Sequence, residues 1–164
     1  MAVAFPDNQM QVLPYNRVIR DLNGHTAAAF LDALRARADV REGGPASPSV
    51  KGRIAMRLAG QWYTLDFGGA DALDVDVLER EVLAPLLGIT DVRTDTRIEF
   101  VGGIRGTDEL ERMVDADGRA VAFSMYPVSL ADLMRIADAG GIMPPKSTWF
   151  EPKLRDGLLS HVIA

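Results

Sequence analysis

RIAMRLAGQWYTLDF, Arg53 to Phe67, is the stretch whose reading decides the fold. Ile54, Met56 and Leu58 alternate with Arg53, Ala55 and Arg57. Beyond Ala59-Gly60, the residues Tyr63, Leu65 and Phe67 alternate with Trp62, Thr64 and Asp66. A period of two on both sides of a small-residue turn predicts a β-hairpin with one buried face.

Working outward from the hairpin, Ala2-Val3-Ala4-Phe5 reads as a short buried strand, Pro6-Asp7-Asn8 as a turn, and Met10 to Leu13 as the strand's partner. Thr26 is the expected N-cap of a helix running to about Arg37, with Phe30, Leu31 and Leu34 on one face. REGGPASPSVKG, residues 41–52, is rich in Gly, Pro and Ser and is expected to be a mobile loop. Asp76 to Glu79 has capping-box spacing for a helix that groups Leu78, Val82 and Leu83, bends at Pro85 and ends at Gly88. A strand from Arg97 to Val101 leads into Gly102-Gly103-Ile104-Arg105-Gly106 and a helix from about Thr107 to Val114. Val121 to Tyr126 reads as a central strand. Ser129 opens a helix with Leu130, Leu133, Met134 and Ala137 on one face, stopped by Gly140-Gly141. Leu158 to Ile163 is the expected closing strand. Hairpins interleaved with strand-helix alternation predict an α+β fold, a mixed sheet with helices packed on it, in a single layered domain over residues 1–164. Because the chain opens on a buried strand, it is expected to be the C-terminal part of a longer two-part protein.

Composition narrows the function. At 164 residues with 48% hydrophobic content, a single domain buries roughly 70% of the surface its unfolded chain exposes, so a real core is expected. Nothing approaches eighteen consecutive apolar residues, and MAVAFPDNQ lacks a signal peptide's basic flank and apolar run. The expectation is a soluble, cytoplasmic protein without a membrane partner. Cysteine is absent, which excludes disulfides, thiolate metal sites and cysteine nucleophiles. His25 and His161 lack ligand spacing, so no metal is expected. A net charge of −5 provides no domain-wide field for nucleic acid, which is not expected as a partner of this chain alone.

IMPPKSTWFEPKLRDG, Ile142 to Gly157, fits no regular element and is the place to look for a site. Pro144 and Pro145 stiffen its approach. Lys146-Ser147-Thr148 offers an ammonium, two hydroxyls and backbone donors within one short reach, a set suited to phosphate or carboxylate. Lys153 and Arg155 add two cations against Glu151 and Asp156. The same cations also fit a solvated rim, and Trp149-Phe150 reads as a pair of core pegs. FVGGIRG, Phe100 to Gly106, invites a phosphate reading but matches neither GxGxxG nor GxxxxGK[ST]. Asp108 and Glu109 already occupy the positive end of the helix that follows. A tight turn explains it as well, with Arg105 left unobstructed between glycines. The run Asp91 to Arg97 reads either as acid-base groups or as a solvated connector with local ion pairs.

LPYNRVIRDLNG, RIEFVGGIRG and above all IMPPKSTWFEPKLRDGL closely resemble the C-terminal part of the family known as domain of unknown function number 1015. The resemblance implies a relative of the ParB and sulfiredoxin-like fold, within which some proteins phosphorylate free serine. The family's Asp-Gly-His-His-Arg motif belongs to a portion before the region covered here, and neither His25 nor His161 sits in such a context. Some members have Thr-His where this chain has Tyr15-Asn16, so no histidine role is carried over there. What is carried over is KSTWFEPKLR at Lys146 to Arg155, the glycine turn with Arg105, and Asn16-Arg17. The resemblance thus implies a phosphotransferase-like site to which Lys146, Ser147, Thr148, Lys153, Arg155, Arg105, Asn16 and Arg17 contribute anion contacts. An absent N-terminal domain would complete that site, with a nucleotide or pyrophosphate as donor. The alternative is a non-catalytic binding or regulatory module, a ParB-like protein-interaction domain. The isolated chain is expected to lack kinase activity and to self-associate through surfaces its N-terminal domain would cover. An in-frame upstream segment encoding the His-His-Arg motif would discriminate between the two readings.

Overall fold

In the computed structural model the hairpin forms as its alternation requires: β4 (Arg53–Leu58) and β5 (Gln61–Asp66) pair antiparallel, with Arg53 opposite Asp66 and Leu58 opposite Gln61. Ala59 and Gly60 turn the chain with φ of 49° and 79°, the left-handed pair that matches strand twist in a two-residue hairpin loop. Residues 6–69 and 71–153 are described. The strand expected over Ala2 to Phe5, the closing strand expected over Leu158 to Ile163, and Arg155 and His161 lie outside them.

Six strands form one sheet in the order β3-β5-β4-β7-β2-β6, with β2 (Tyr15–Ile19), β3 (Asp39–Glu42), β6 (Ile98–Gly102) and β7 (Val121–Ser124) joining the hairpin. Every described pairing is antiparallel, through one hairpin and several longer crossovers. A separate two-stranded ribbon pairs β1 (Gln11–Leu13) with β8 (Trp149–Glu151), Leu13 lying opposite Trp149.

The sheet is covered on both faces. On one, Ile19, Met56, Leu65, Val121 and Phe123 pack with Phe30 and Leu34 of α1 (Ala27–Arg35) and with Val75 and Leu78 of α2 (Asp74–Leu78). On the other, Val18, Ala55, Trp62, Val101 and Ala122 pack with Leu110, Met113 and Val114 of α3 (Asp108–Asp115). A fourth helix, α4 (Leu130–Asp138), is capped by the Ser129 hydroxyl, which accepts from the Asp132 N–H. This is the expected α+β layering. No described helix is long and apolar enough to cross a membrane.

Three local expectations are corrected. Residues 41–52 begin inside a strand, since Arg41 and Glu42 of β3 pair with Thr64 and Tyr63. This edge strand is short and largely exposed, so it carries no apolar alternation to read. Asp76 does not cap α2: the helix starts at Asp74 after Leu73 and continues as a π-helical stretch, Glu79–Leu83. Burial of Leu73 and Val75 draws the start forward. Finally, the proline-rich segment does contain a regular element, β8, whose ladder begins after Pro144 and Pro145 and ends before Pro152.

Candidate functional site

Strand β2 alternates the residues that matter across the sheet. Tyr15 and Arg17 project to one face and Asn16 to the other, as a two-residue period demands. Arg17 is only 4% exposed and lies opposite Phe100 in the ladder, its guanidinium carbon 5.5 Å from that ring's centroid. It donates to the Tyr15 carbonyl and, at 3.2 Å, to the Lys146 carbonyl. Burial pushes the guanidinium pKa down to about 10, and the fields of Glu79 and Asp76 oppose that shift.

Lys146 sits in left-handed backbone at φ 51°, a conformation that costs a non-glycine residue roughly 1–2 kcal/mol. Its ammonium lies 5.4 Å from the centroid of the Tyr15 ring. That ring meets Trp149 at 5.4 Å and 58°, and the Lys153 ammonium lies 4.2 Å from the Trp149 ring. Two lysines thus flank one pair of touching rings, with the buried arginine holding the backbone of the first. Ser147 is buried between them in sequence, and Thr148 leads into β8.

The glycine turn supports this cluster from behind. A Cβ on Gly102 would lie 2.4 Å from the Trp149 ring, and one on Gly103 would lie 2.8 Å from the Pro14 carbonyl, to which the Gly103 N–H donates at 2.7 Å. The two glycines are therefore required for close packing. Arg105 is exposed and pairs with Glu109 at 3.6 Å.

Across the sheet, Pro14, Asn16, Gly103, Gly106 and Thr107 line a cleft of about 350 Å³, closed by Ser47 to Ser49 and Ser124 to Pro127. Buried Asn16 accepts from the Met125 N–H at 3.0 Å and so ties β2 to the end of β7. Among the described candidates, Lys146, Lys153 and Arg17 gather on one face through Tyr15 and Trp149, while Asn16 faces the cleft. Arg105 pairs with Glu109 of α3, the helix that follows it, and Arg155 is not described.

Charge pairing separates these residues from the others. Among the described residues, every arginine and lysine has a carboxylate within ion-pair distance except Arg17, Arg93, Lys146 and Lys153. Two of those four lie on the Tyr15 and Trp149 rings, and Arg17 donates to the backbone of Tyr15 and Lys146. Tyr15 carries no local signal, because the Lys146 ammonium beside its ring comes from a segment far along the chain. Trp149, expected as a core peg, is half-buried and faces Lys153.

Solved structures share the fold at low identity. A free serine kinase variant in complex with AMP matches with a TM-score of 0.53 and 16% identity, covering 87% of this chain and 55% of that one. A conserved hypothetical protein from Pyrococcus furiosus gives 0.55 and 15%, covering 88% and 57%. A second free serine kinase variant, in complex with ADP, gives 0.51 and 18%, covering 87% and 54%. The chain spans little more than half the length of these structures. None of them carries the ParB relationship that the resemblance implies, and no curated protein matches the sequence. The model of one family, described as "Protein of unknown function (DUF1015)", matches residues 1–83, and the chain belongs to that family.

Proposed function

We propose that the chain supplies the anion-contacting part of a phosphotransferase-like site of the kind that phosphorylates a small molecule such as free serine. A segment outside this chain would complete the nucleotide chemistry. The observation that carries the reading is the gathering of Lys146, Lys153 and Arg17, none with a carboxylate within ion-pair distance although Glu79 and Asp76 act on Arg17 from farther off, in a protein of net charge −5. Phosphoryl transfer depends mainly on positioning and on cations that neutralise developing charge. Ammonium groups seated on rings keep their charge available, and a backbone braced by a buried guanidinium keeps one of them in place. The likeness to free serine kinases bound to AMP and ADP supports the same class.

The test is calorimetric titration of the chain with pyrophosphate and ADP at fixed ionic strength. Lys146→Ala and Lys153→Ala are each expected to weaken binding about tenfold, the effect of losing one charge-assisted contact. Arg93→Ala, which removes the unpaired cation outside the cluster, is expected to change nothing. Equal binding by all four proteins would overturn the proposal and favour the non-catalytic module.

A further inference from the structure

Between the edge strand and the hairpin, Gly43 to Gly52 crosses the molecule with a different kind of fastening at each end. At the first end, the Gly43 N–H donates to the Trp62 carbonyl at 2.8 Å and the Thr64 hydroxyl donates to the Gly43 carbonyl at 3.2 Å. Gly44 lies so close beneath Thr64 that a Cβ would come within 2.3 Å of its Oγ1. No ionisable group takes part. At the second end, the Gly52 N–H donates to Asp74 Oδ1 at 2.9 Å, and the Lys51 ammonium meets Asp132 Oδ1 at 2.9 Å. Between the two ends, Ser47, Pro48 and Ser49 form a wall of the cleft, and Pro48 and Ser49 also wall a 280 Å³ cavity against β4 and β5.

Asp74 is the unusual partner. It is 6% exposed, and its Oδ2 is buried with no hydrogen-bond partner. It lines a void of about 10 Å³ with Lys51, Asp132, Tyr126, Pro127 and Val128. The charged groups facing it are Lys51 from the crossing segment and Asp132 from α4, with the Tyr126 phenol beyond β7. Lys51 does not neutralise it, because Asp132 holds that ammonium while also accepting from Ser129 and Arg135. A buried carboxylate with one orphaned oxygen is costly when ionised. A proton on Oδ2 removes the charge and leaves Oδ1 free to keep accepting from Gly52. Burial, the largest cause, pushes Asp74 up to about 6, against the Gly52 bond and Lys51 and with help from Asp132.

We propose that Gly43 to Gly52 is a pH-responsive strap beside the cleft, fastened at its Gly52 end when Asp74 is protonated and loosened when Asp74 ionises. Hydrating the charged Oδ2 requires water to enter where Lys51 and Gly52 cover it, so the ionised state favours release of that end. The Gly43 end, held by neutral groups, stays fixed and acts as the hinge. Access to both cavities then follows the protonation of a residue that lines neither.

The experiment is amide-resolved NMR on the whole chain between pH 4 and 8, following the Gly52 amide shift and hydrogen exchange at residues 46–52. The Gly52 shift should titrate with a midpoint about 6. Strap opening, corrected for intrinsic exchange, should be about tenfold more frequent at pH 7.5 than at pH 5, as linkage requires if the opened carboxyl titrates normally. Asp74→Asn keeps an acceptor without the charge, so it should abolish both changes and leave the strap fastened throughout. Asp132→Asn removes the like charge and frees Lys51, so it should lower the midpoint even if Asp74→Asn fails to fold. A midpoint near 4, a titration that persists in Asp74→Asn, or strap exchange that ignores pH while Gly52 titrates would each overturn the proposal.

Discussion

The hairpin and the β1–β8 ribbon treat positive charge in opposite ways. On the hairpin, Arg53 is answered by Asp66 across the strand pair and Arg57 by Asp115 of α3. At the ribbon, Lys146 and Lys153 lie against aromatic rings, Glu151 accepts from the Trp149 ring and the Lys153 backbone N–H, not from an ammonium, and the nearby Arg17 donates to two backbone carbonyls and lies over Phe100. A cation answered by a carboxylate presents little field beyond the pair. One seated on a ring keeps its charge for whatever arrives. Under the proposed function, that difference would set a solvated surface apart from one that receives an anion.

The hardest blow to this comparison falls on the sheet. Leu65 is wholly buried in β5, which pairs only with β3 and β4, and Leu65→Ala should cost about 2–5 kcal/mol of stability. Urea denaturation reads that loss. Pyrophosphate titration of the folded protein should show unchanged affinity, because the cation cluster stands on β2, the ribbon and the glycine turn. If affinity falls in step with stability, the two regions are not separable.

A second substitution drives the two properties in opposite directions. Lys146→Gly relieves left-handed backbone, so stability should rise by up to about 1 kcal/mol, while pyrophosphate affinity should drop about tenfold with the lost ammonium. Calorimetry and thermal unfolding on the same sample check both signs. A loss of both would mean that the Lys146 side chain holds the fold together, and the ring contact would then be a structural peg.

How much of this was legible in the sequence follows from the range of each interaction. The hairpin, the Thr26 and Ser129 caps and α3 are local patterns, and they read correctly because period and cap chemistry lie within a few residues. The strand β3 did not read, because an exposed edge strand has no buried face to impose a period. Lys146 and Lys153 were legible from the residue set of their own stretch and from its resemblance to the family. What holds them, Tyr15 and Trp149, is joined only by folding, with β1 paired to β8 across most of the chain. Asp74 was invisible for the same reason: its partner is Gly52, and its burial depends on α2 and α4 meeting the strap.

The strap's ion pair gives the comparison a pH axis. Hydrogen bonds from Lys51, Ser129 and Arg135 outweigh burial and hold the Asp132 carboxyl down to about 2. Its folded-state pKa lies below the unfolded value, so its contribution is present above about pH 4 and is lost as pH falls toward 2. Asp132→Asn should therefore lower stability by about 1 kcal/mol at neutral pH, solvent reaching the pair having reduced its worth, and the gap should narrow below about pH 4 and close toward pH 2. Asp74 acts in the other direction, its contribution fading as pH rises from about 4 to about 6. Denaturation curves of the single variants across that range separate the two groups.

The smallest effect sets the baseline against which the others are judged. Arg35 in the last turn of α1 pairs with Asp32 one turn earlier at 3.0 Å, with side-chain exposures of 56% and 75%. Water competes for both charges, salt screens them, and holding two long side chains in register costs entropy, so such a pair contributes little. Arg35 also loses a favourable position near the helix's negative end when it is replaced, while alanine brings a slightly better helix propensity. Arg35→Ala should accordingly leave stability within about 0.5 kcal/mol of wild type, and its difference from wild type should shrink further in 1 M salt. Pyrophosphate binding should not change. A cost well above 1 kcal/mol, or a change in anion affinity, would show that ion-paired arginines on this protein are more than a solvated face. The pairing criterion that singles out Lys146 and Lys153 would then lose its force.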